Sequence, residues 1–139
     1  RHKLTLLLLT FIASVLSVAA QVSFSVSYKR VSPTEIDIVF TGKMEKGWHV
    51  YGANIGAGGP TAATFGTDNL KGVRLVGKLK EGPGLKHKQD PIFEMPVTYF
   101  EGSAQFTQRV ELLEKDYSLK GYLKYGACND ENCLPPTSV

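Results

Sequence analysis

The sequence predicts an all-β domain, an immunoglobulin-like antiparallel β-sandwich. Three observations predict it. Seven or eight short runs alternate apolar and polar residues, the pattern of a half-buried strand. Clusters of Gly, Pro, Ser and Asn interrupt those runs at the spacing of a sandwich. No stretch sustains helical periodicity, and there are neither heptads nor internal repeats. A small barrel is the alternative closure for the same strands.

The elements follow in order. Val22 to Tyr28 alternates strictly, placing Val22, Phe24, Val26 and Tyr28 on one side. Ser32-Pro33-Thr34 breaks the run. Glu35 to Phe40 alternates again, with Ile36, Ile38 and Phe40 inward, and Gly42 to Gly47 is a polar turn. Trp48-His49-Val50-Tyr51 is a third, aromatic-rich strand. Gly52 to Thr61 holds four glycines and Pro60 before its last residue, yet it has no phosphate-binding lysine and opens no helix, so it reads as an irregular bend. Ala62 to Phe65 is a short strand. Val73 to Leu79 is the next, with Val73, Leu75 and Leu79 inward. After Gly82-Pro83-Gly84, the segment Leu85 to Met95 reads as a long polar loop with an apolar tip at Ile92 and Phe93. Pro96 to Phe100 and Ala104 to Val110 read as a hairpin across Glu101-Gly102-Ser103. Tyr117 to Tyr125 is the strand that leads into the cysteines.

Both cysteines of the chain lie in Tyr125-Gly126-Ala127-Cys128-Asn129-Asp130-Glu131-Asn132-Cys133-Leu134-Pro135-Pro136. A tight turn through Asn129, Asp130 and Asn132 brings two sulfurs within bonding range, and the prolines stop the turn from continuing into a helix. A crosslink closing so short a loop restrains the unfolded chain by only about 2 kcal/mol. That magnitude favours a couple that opens and recloses, although a single structural bridge is ordinary in an exported domain. Spacing alone leaves both readings open. A metal site is the weakest alternative: its remaining ligands would be His49 and His87, which stand at no ligand spacing.

Arg1-His2-Lys3, the apolar run Leu4 to Leu16 and the small residues Ser17 to Ala20 have the layout of a secretory signal peptide cut after Ala20, or second after Ala19. An uncleaved anchor is the alternative, but the run is short for a membrane span. Removing Arg1 and Lys3 lowers the formal charge from +3 by two, so the mature domain, residues 21–139, is nearly neutral. Its Lys and Arg are scattered, which excludes a basic stripe for nucleic acid. Export puts the cysteines in an oxidising compartment. The sequence stops just after the cysteine turn, and further chain is expected beyond Val139.

Cysteine is the one strong nucleophile here. A hydrolase would need a His base and an orienting partner, and a second thiol nearby would capture the nucleophile as a disulfide. Thiol–disulfide exchange uses such a pair directly. Asp130 and Glu131 inside the loop disfavour a thiolate, so thiols without strong acidity are expected. The tip Ile92-Phe93 is either a lid over the pair or a plug into the end of the sandwich.

These residues carry a resemblance. Gly47-Trp48-His49-Val50-Tyr51-Gly52, the Asp90-Pro91-Ile92-Phe93 loop with Tyr99, and the run from Tyr125 to Pro136 resemble the amino-terminal periplasmic domain of the DsbD family of thiol:disulfide interchange proteins. The resemblance spans essentially the whole mature chain. It implies an immunoglobulin-like fold and a protein-disulfide reductase that needs no bound cofactor. Electrons would come from a thioredoxin-like domain of the same full-length, inner-membrane protein. They would leave to a periplasmic disulfide isomerase or a cytochrome c maturation thioredoxin. By position, Cys133 matches the cysteine that forms the mixed disulfide and Cys128 the resolving one. Asp90 matches an acidic residue beside the site, Tyr51 an aromatic lining it, and Ile92 with Phe93 the cap loop. Pro91 replaces a second acidic residue, His49 stands where an aromatic is known, and the cysteine spacing is one residue shorter than in the best-known members. The alternative from another class is a non-enzymatic exported sandwich, for adhesion or scaffolding, with a fixed bridge.

Overall fold

The structure, a computed structural model, describes residues 20–139. The expected signal peptide, residues 1–20, therefore lies outside the described residues apart from Ala20. The described chain is all β. Its strands are β1 (Val22–Arg30), β2 (Glu35–Met44), β3 (His49–Tyr51), β4 (Thr64–Lys71), β5 (Val73–Glu81), β6 (Lys86–Asp90), β7 (Met95–Glu101), β8 (Ser103–Leu112), β9 (Ser118–Tyr125), β10 (Ala127–Cys128) and β11 (Thr137–Ser138). All pairings are antiparallel. One sheet has the order β1-β2-β8-β5, a second β10-β3-β7-β6, and a third, three-stranded sheet β11-β9-β4.

The aromatic contacts show how these sheets stack. Phe106 of the first sheet meets Phe100 of the second edge to face, with ring centroids 5.4 Å apart. Phe24 and Phe40 of the first sheet meet Tyr125 and Phe65 of the third, at 4.7 and 6.0 Å. The first sheet is thus one layer, and the second and third together form the other. This is the immunoglobulin-like sandwich expected from the alternation. Phe100, Phe106, Leu123 and Val50 are fully buried between the layers. Each such aromatic stabilises the fold by about 3–5 kcal/mol when judged by truncation to Ala.

The outer layer changes sheet within one chain segment. β9 belongs to the third sheet and β10 to the second, and Gly126 joins them. A Cβ on Gly126 would lie 2.8 Å from the Thr61 carbonyl oxygen, so only glycine lets the segment before β4 pass this close. That crossing delivers the cysteine turn to the end of the second sheet.

Several local expectations are corrected. β7 and β8 are not a hairpin: they lie in different sheets. Gly102, with φ of +76°, turns the chain from one layer to the other, and its carbonyl accepts a hydrogen bond from Met44 N–H at 3.0 Å. The polar segment after Gly84 is not all loop. Lys86 to Asp90 forms β6, an edge strand paired with β7, and only Pro91 to Glu94 turns. Its exposed polar side chains carry no apolar alternation. The strand expected at Ala62 begins at Thr64 and runs to Lys71. On β1, Val22 is buried, whereas Val26 and Tyr28 are exposed. These two residues line open clefts with Phe65 and Leu119 of the third sheet and are not packed into the core.

Candidate functional site

Alternation along β10 separates its two residues. Ala127 turns into the sandwich core and Cys128 to the outer face of the second sheet. There Cys128 packs with Tyr51 of β3 and Val97 of β7, flanked by Ile55, Met95 and Tyr99. Cys128 stands opposite His49 in the β10–β3 register, and Tyr51 opposite Tyr99 in the β3–β7 register. One outer face therefore gathers residues from three strands around one sulfur.

The turn after Cys128 is closed by Asn129. Its side-chain oxygen accepts from the N–H groups of Glu131 and Asn132 at 2.8 and 2.6 Å, and its own N–H donates to the Asn132 carbonyl at 2.8 Å. This Asx-type turn returns the chain beside itself. Leu134 N–H then bonds the Ala127 carbonyl at 2.9 Å. Cys128 and Cys133 are joined as a disulfide with Cα atoms 4.0 Å apart. The two ends of that bond differ: Cys128 is 5% exposed, whereas Cys133 lies open to solvent.

Asp90 builds the facing loop. It ends β6, is buried, and its Oδ1 accepts from Ile92 N–H at 2.8 Å and Phe93 N–H at 3.0 Å. Its carbonyl accepts from Glu94 N–H at 2.8 Å. Glu94 closes the turn at φ 54°, a left-handed geometry uncommon for a residue with a Cβ. Phe93 projects between two clefts beside the disulfide. One, of about 140 Å³, is bounded by His49, Lys88, Asp90 and the Asn129–Asn132 turn. The other, of about 240 Å³, is bounded by Pro60, Thr61, Leu134 and Pro136. Both share Tyr51, Phe93, Cys128 and Cys133. Phe93 belongs to neither apolar core cluster. Ile92 is 73% exposed and lines only the smaller cleft.

The face is electrostatically mixed. Burial, and after it the Asp90 carboxylate, pushes the Tyr51 phenol up to about 12. Burial, and then the Lys88 charge, lowers the His49 imidazole below its ordinary value, against the opposing pull of Glu101, Asp130 and Asp90. His49 Nε2 and Tyr51 Oη are hydrogen-bonded at 3.1 Å. Lys88 Nζ lies 4.9 Å from the centroid of the Tyr99 ring, a cation–π contact.

All six residues expected from the sequence, Cys128, Cys133, Asp90, Tyr51, Phe93 and Ile92, line the smaller cleft. His87 is exposed on β6 and lines neither cleft. Sequence reasoning missed Lys88, although strand alternation back from Asp90 would have pointed to it. It also missed Thr61, which reaches the site only through the close approach at Gly126. For His49 it assigned no role.

Comparison with known proteins follows from this geometry. The family model described as "Thiol:disulfide interchange protein DsbD, N-terminal" matches residues 13–139. No curated protein matches. Among solved structures, the chain is similar to the N-terminal periplasmic domain of ScsB from Proteus mirabilis. The TM-score is 0.61 at 15% identity, covering 87% of this chain and 45% of that one. The chain thus spans less than half of that structure, and the likeness shows the fold alone. A weaker match, TM-score 0.44 at 12% identity, is to the yeast GGA1 GAE domain, covering 89% of this chain and 96% of that one.

Proposed function

The chain belongs to the family of the DsbD amino-terminal domain, and from that premise we propose that it is a periplasmic disulfide-reductase module working through the Cys128–Cys133 couple. The observation that carries this reading is the unequal exposure of the two cysteine residues. A thiolate of a thioredoxin-like donor domain of the same protein attacks Cys133 Sγ, and Cys128 leaves as a thiolate. The donor's second thiol then attacks the mixed disulfide and frees Cys133. Two electrons and two protons have entered the pair. The reduced pair reverses the sequence on a periplasmic partner: Cys133 attacks the partner's disulfide, and Cys128 attacks Cys133 Sγ to release the partner as a dithiol. No bound cofactor takes part. A disulfide isomerase or a cytochrome c maturation thioredoxin fits as that partner, since each is a protein disulfide to be kept reduced.

The loop from Asp90 to Glu94 acts as the cap. Phe93 flanks the bond in both clefts and, with Cys128 buried, limits the access of small oxidants to the reduced pair, and Ile92 beside it offers an exposed apolar contact to an arriving partner. Asp90 holds the cap's backbone, and Tyr51 forms the floor.

The test is a trapping experiment. A Cys128→Ser variant should accumulate a mixed disulfide through Cys133 with a thioredoxin-fold protein. If the trapped bond formed only through Cys128, in the Cys133→Ser variant, the role assignment would be reversed. A reduction potential below about −300 mV, with inertness to dithiol proteins, would instead favour a fixed bridge in a scaffold module.

A further inference from the structure

We infer that the His49 imidazole is the base that takes the Cys128 proton when this thiol resolves a mixed disulfide on Cys133, and the acid that returns it when Cys128 is the leaving sulfur. The inference rests on the interchange reading above and assigns its proton transfers. Cys128 and His49 are directly opposed residues of adjacent antiparallel strands. Directly opposed residues share a face, with Cβ atoms about 4.5–5.5 Å apart. Both line the same cleft and both are buried, at 5% and 6% exposure.

That burial creates the need for a base. Resolution requires a thiolate at Cys128, and a buried thiol gives up its proton reluctantly. The other groups facing the ring are poorly suited to take it. Lys88 of β6 is a cation, and its charge with burial keeps the imidazole neutral and able to accept. The Tyr51 phenol holds its own proton up to about pH 12. The Asp90 carboxylate is engaged by the amides of Ile92 and Phe93. Glu101 of β7 is paired with Lys86 at 2.8 Å. Asp130 lines the same cleft, but it is exposed in the turn between the cysteines, where water solvates its carboxylate. His49 Nε2 and Tyr51 Oη share a hydrogen bond at 3.1 Å, and the tautomer that carries the ring proton on Nε2 leaves the Nδ1 lone pair free to accept.

The step balances. Cys128 S–H gives its proton to the imidazole, and its thiolate attacks Cys133 Sγ. The Cys128–Cys133 bond forms, the bond from Cys133 to the partner breaks, and the partner sulfur leaves with the electron pair. The imidazolium then passes its proton to that sulfur or to water. The reverse reaction uses the same path.

The experiment mixes the reduced protein with an aromatic disulfide that liberates a coloured thiolate. Attack by Cys133 releases the first equivalent, and resolution by Cys128 releases the second. In the wild type the second release should level off above the His49 titration. In His49→Gln, whose amide still bonds Tyr51, it should be on the order of a hundredfold slower at neutral pH and climb through the thiol range without that plateau. The first release should be unchanged. An unaltered second release in His49→Gln overturns the inference. If His49→Gln does not fold, nuclear magnetic resonance of the reduced wild type decides: the ring titration should shift in Cys128→Ala, and an identical midpoint overturns the inference. Failure of any exchange with a dithiol protein takes the interchange reading down with it. Normal exchange with an unchanged second phase removes only the role of His49.

Discussion

Asn129 and Asp90 perform the same local task on the two loops that meet at the disulfide. Each turns a side-chain oxygen onto two following amides, and each thereby fixes a turn that no apolar contact would hold. The consequence differs. Asn129 brings Cys133 back to Cys128, and Asp90 aims Phe93 at the bond between them. Phe93 is half-buried and lies outside both cores, so Phe93→Ala should cost less than about 1 kcal/mol in denaturant unfolding. It should nonetheless speed oxidation of the reduced pair by a small oxidant, measured by stopped flow. An unchanged rate would leave the cap without a shielding role. Most of this scale was legible, because Asn and Asp at turns and an apolar dipeptide on a polar loop are local signals. The partner of His49 was not, since a histidine near an aromatic in sequence says nothing about which strand faces it.

Between elements, polar side chains fasten what alternation alone would leave loose. Glu81, at the end of β5, accepts from the Ala53 N–H at 2.8 Å and from the Asn54 side chain at 3.1 Å. It pins the glycine-rich segment after β3, whose far end supplies Pro60 and Thr61 to the larger cleft. Glu81→Ala should raise amide hydrogen exchange at Ala53 while leaving the sandwich folded; unchanged protection would mean that the segment is held by Gly126 and Thr61 alone. Asp37 on β2 and Arg109 on β8 are directly opposed and form a two-pronged ion pair, at 2.8 and 3.1 Å. The guanidinium holds the Asp37 carboxyl below its ordinary value of 3.8. The folded state therefore binds that proton more weakly than the unfolded state. The pair stabilises fully above the unfolded value and loses this as pH falls through the lower folded one. Asp37→Asn should lower stability at neutral pH and converge with wild type in strong acid, as measured by denaturant titration. The strand lengths themselves were only partly readable. β6 escaped because an exposed polar edge has no apolar period, and the β7–β8 join resembled a hairpin because Gly102 serves a turn and a layer crossing equally well.

On the scale of the whole molecule, the disulfide is an attachment to the sandwich and not its keystone. The core runs from Val22 through Phe100, Phe106 and Leu123, with Cys128 in a small separate cluster and Cys133 outside both. A loop this short contributes about 2 kcal/mol through the unfolded chain. Reduction should therefore lower the thermal midpoint by several degrees and leave the far-ultraviolet spectrum of a β protein intact. Collapse of the fold on reduction would argue for a staple. A thiol:disulfide interchange domain needs this independence, because its scaffold must persist through both redox states while the bond is opened.

The sequence by itself determined the strand-forming runs, the identity of the two sulfurs and the apolar dipeptide Ile92-Phe93 on a polar segment. All of these depend on neighbours within a few positions along the chain. Only the tertiary structure decided which sulfur lies open, which face of the second sheet collects His49, Tyr51, Lys88 and Tyr99, and which layer each strand joins. Those outcomes depend on register and pairing between distant segments. Side-chain alternation leaves register and pairing undetermined wherever a strand is polar or a glycine turns the chain.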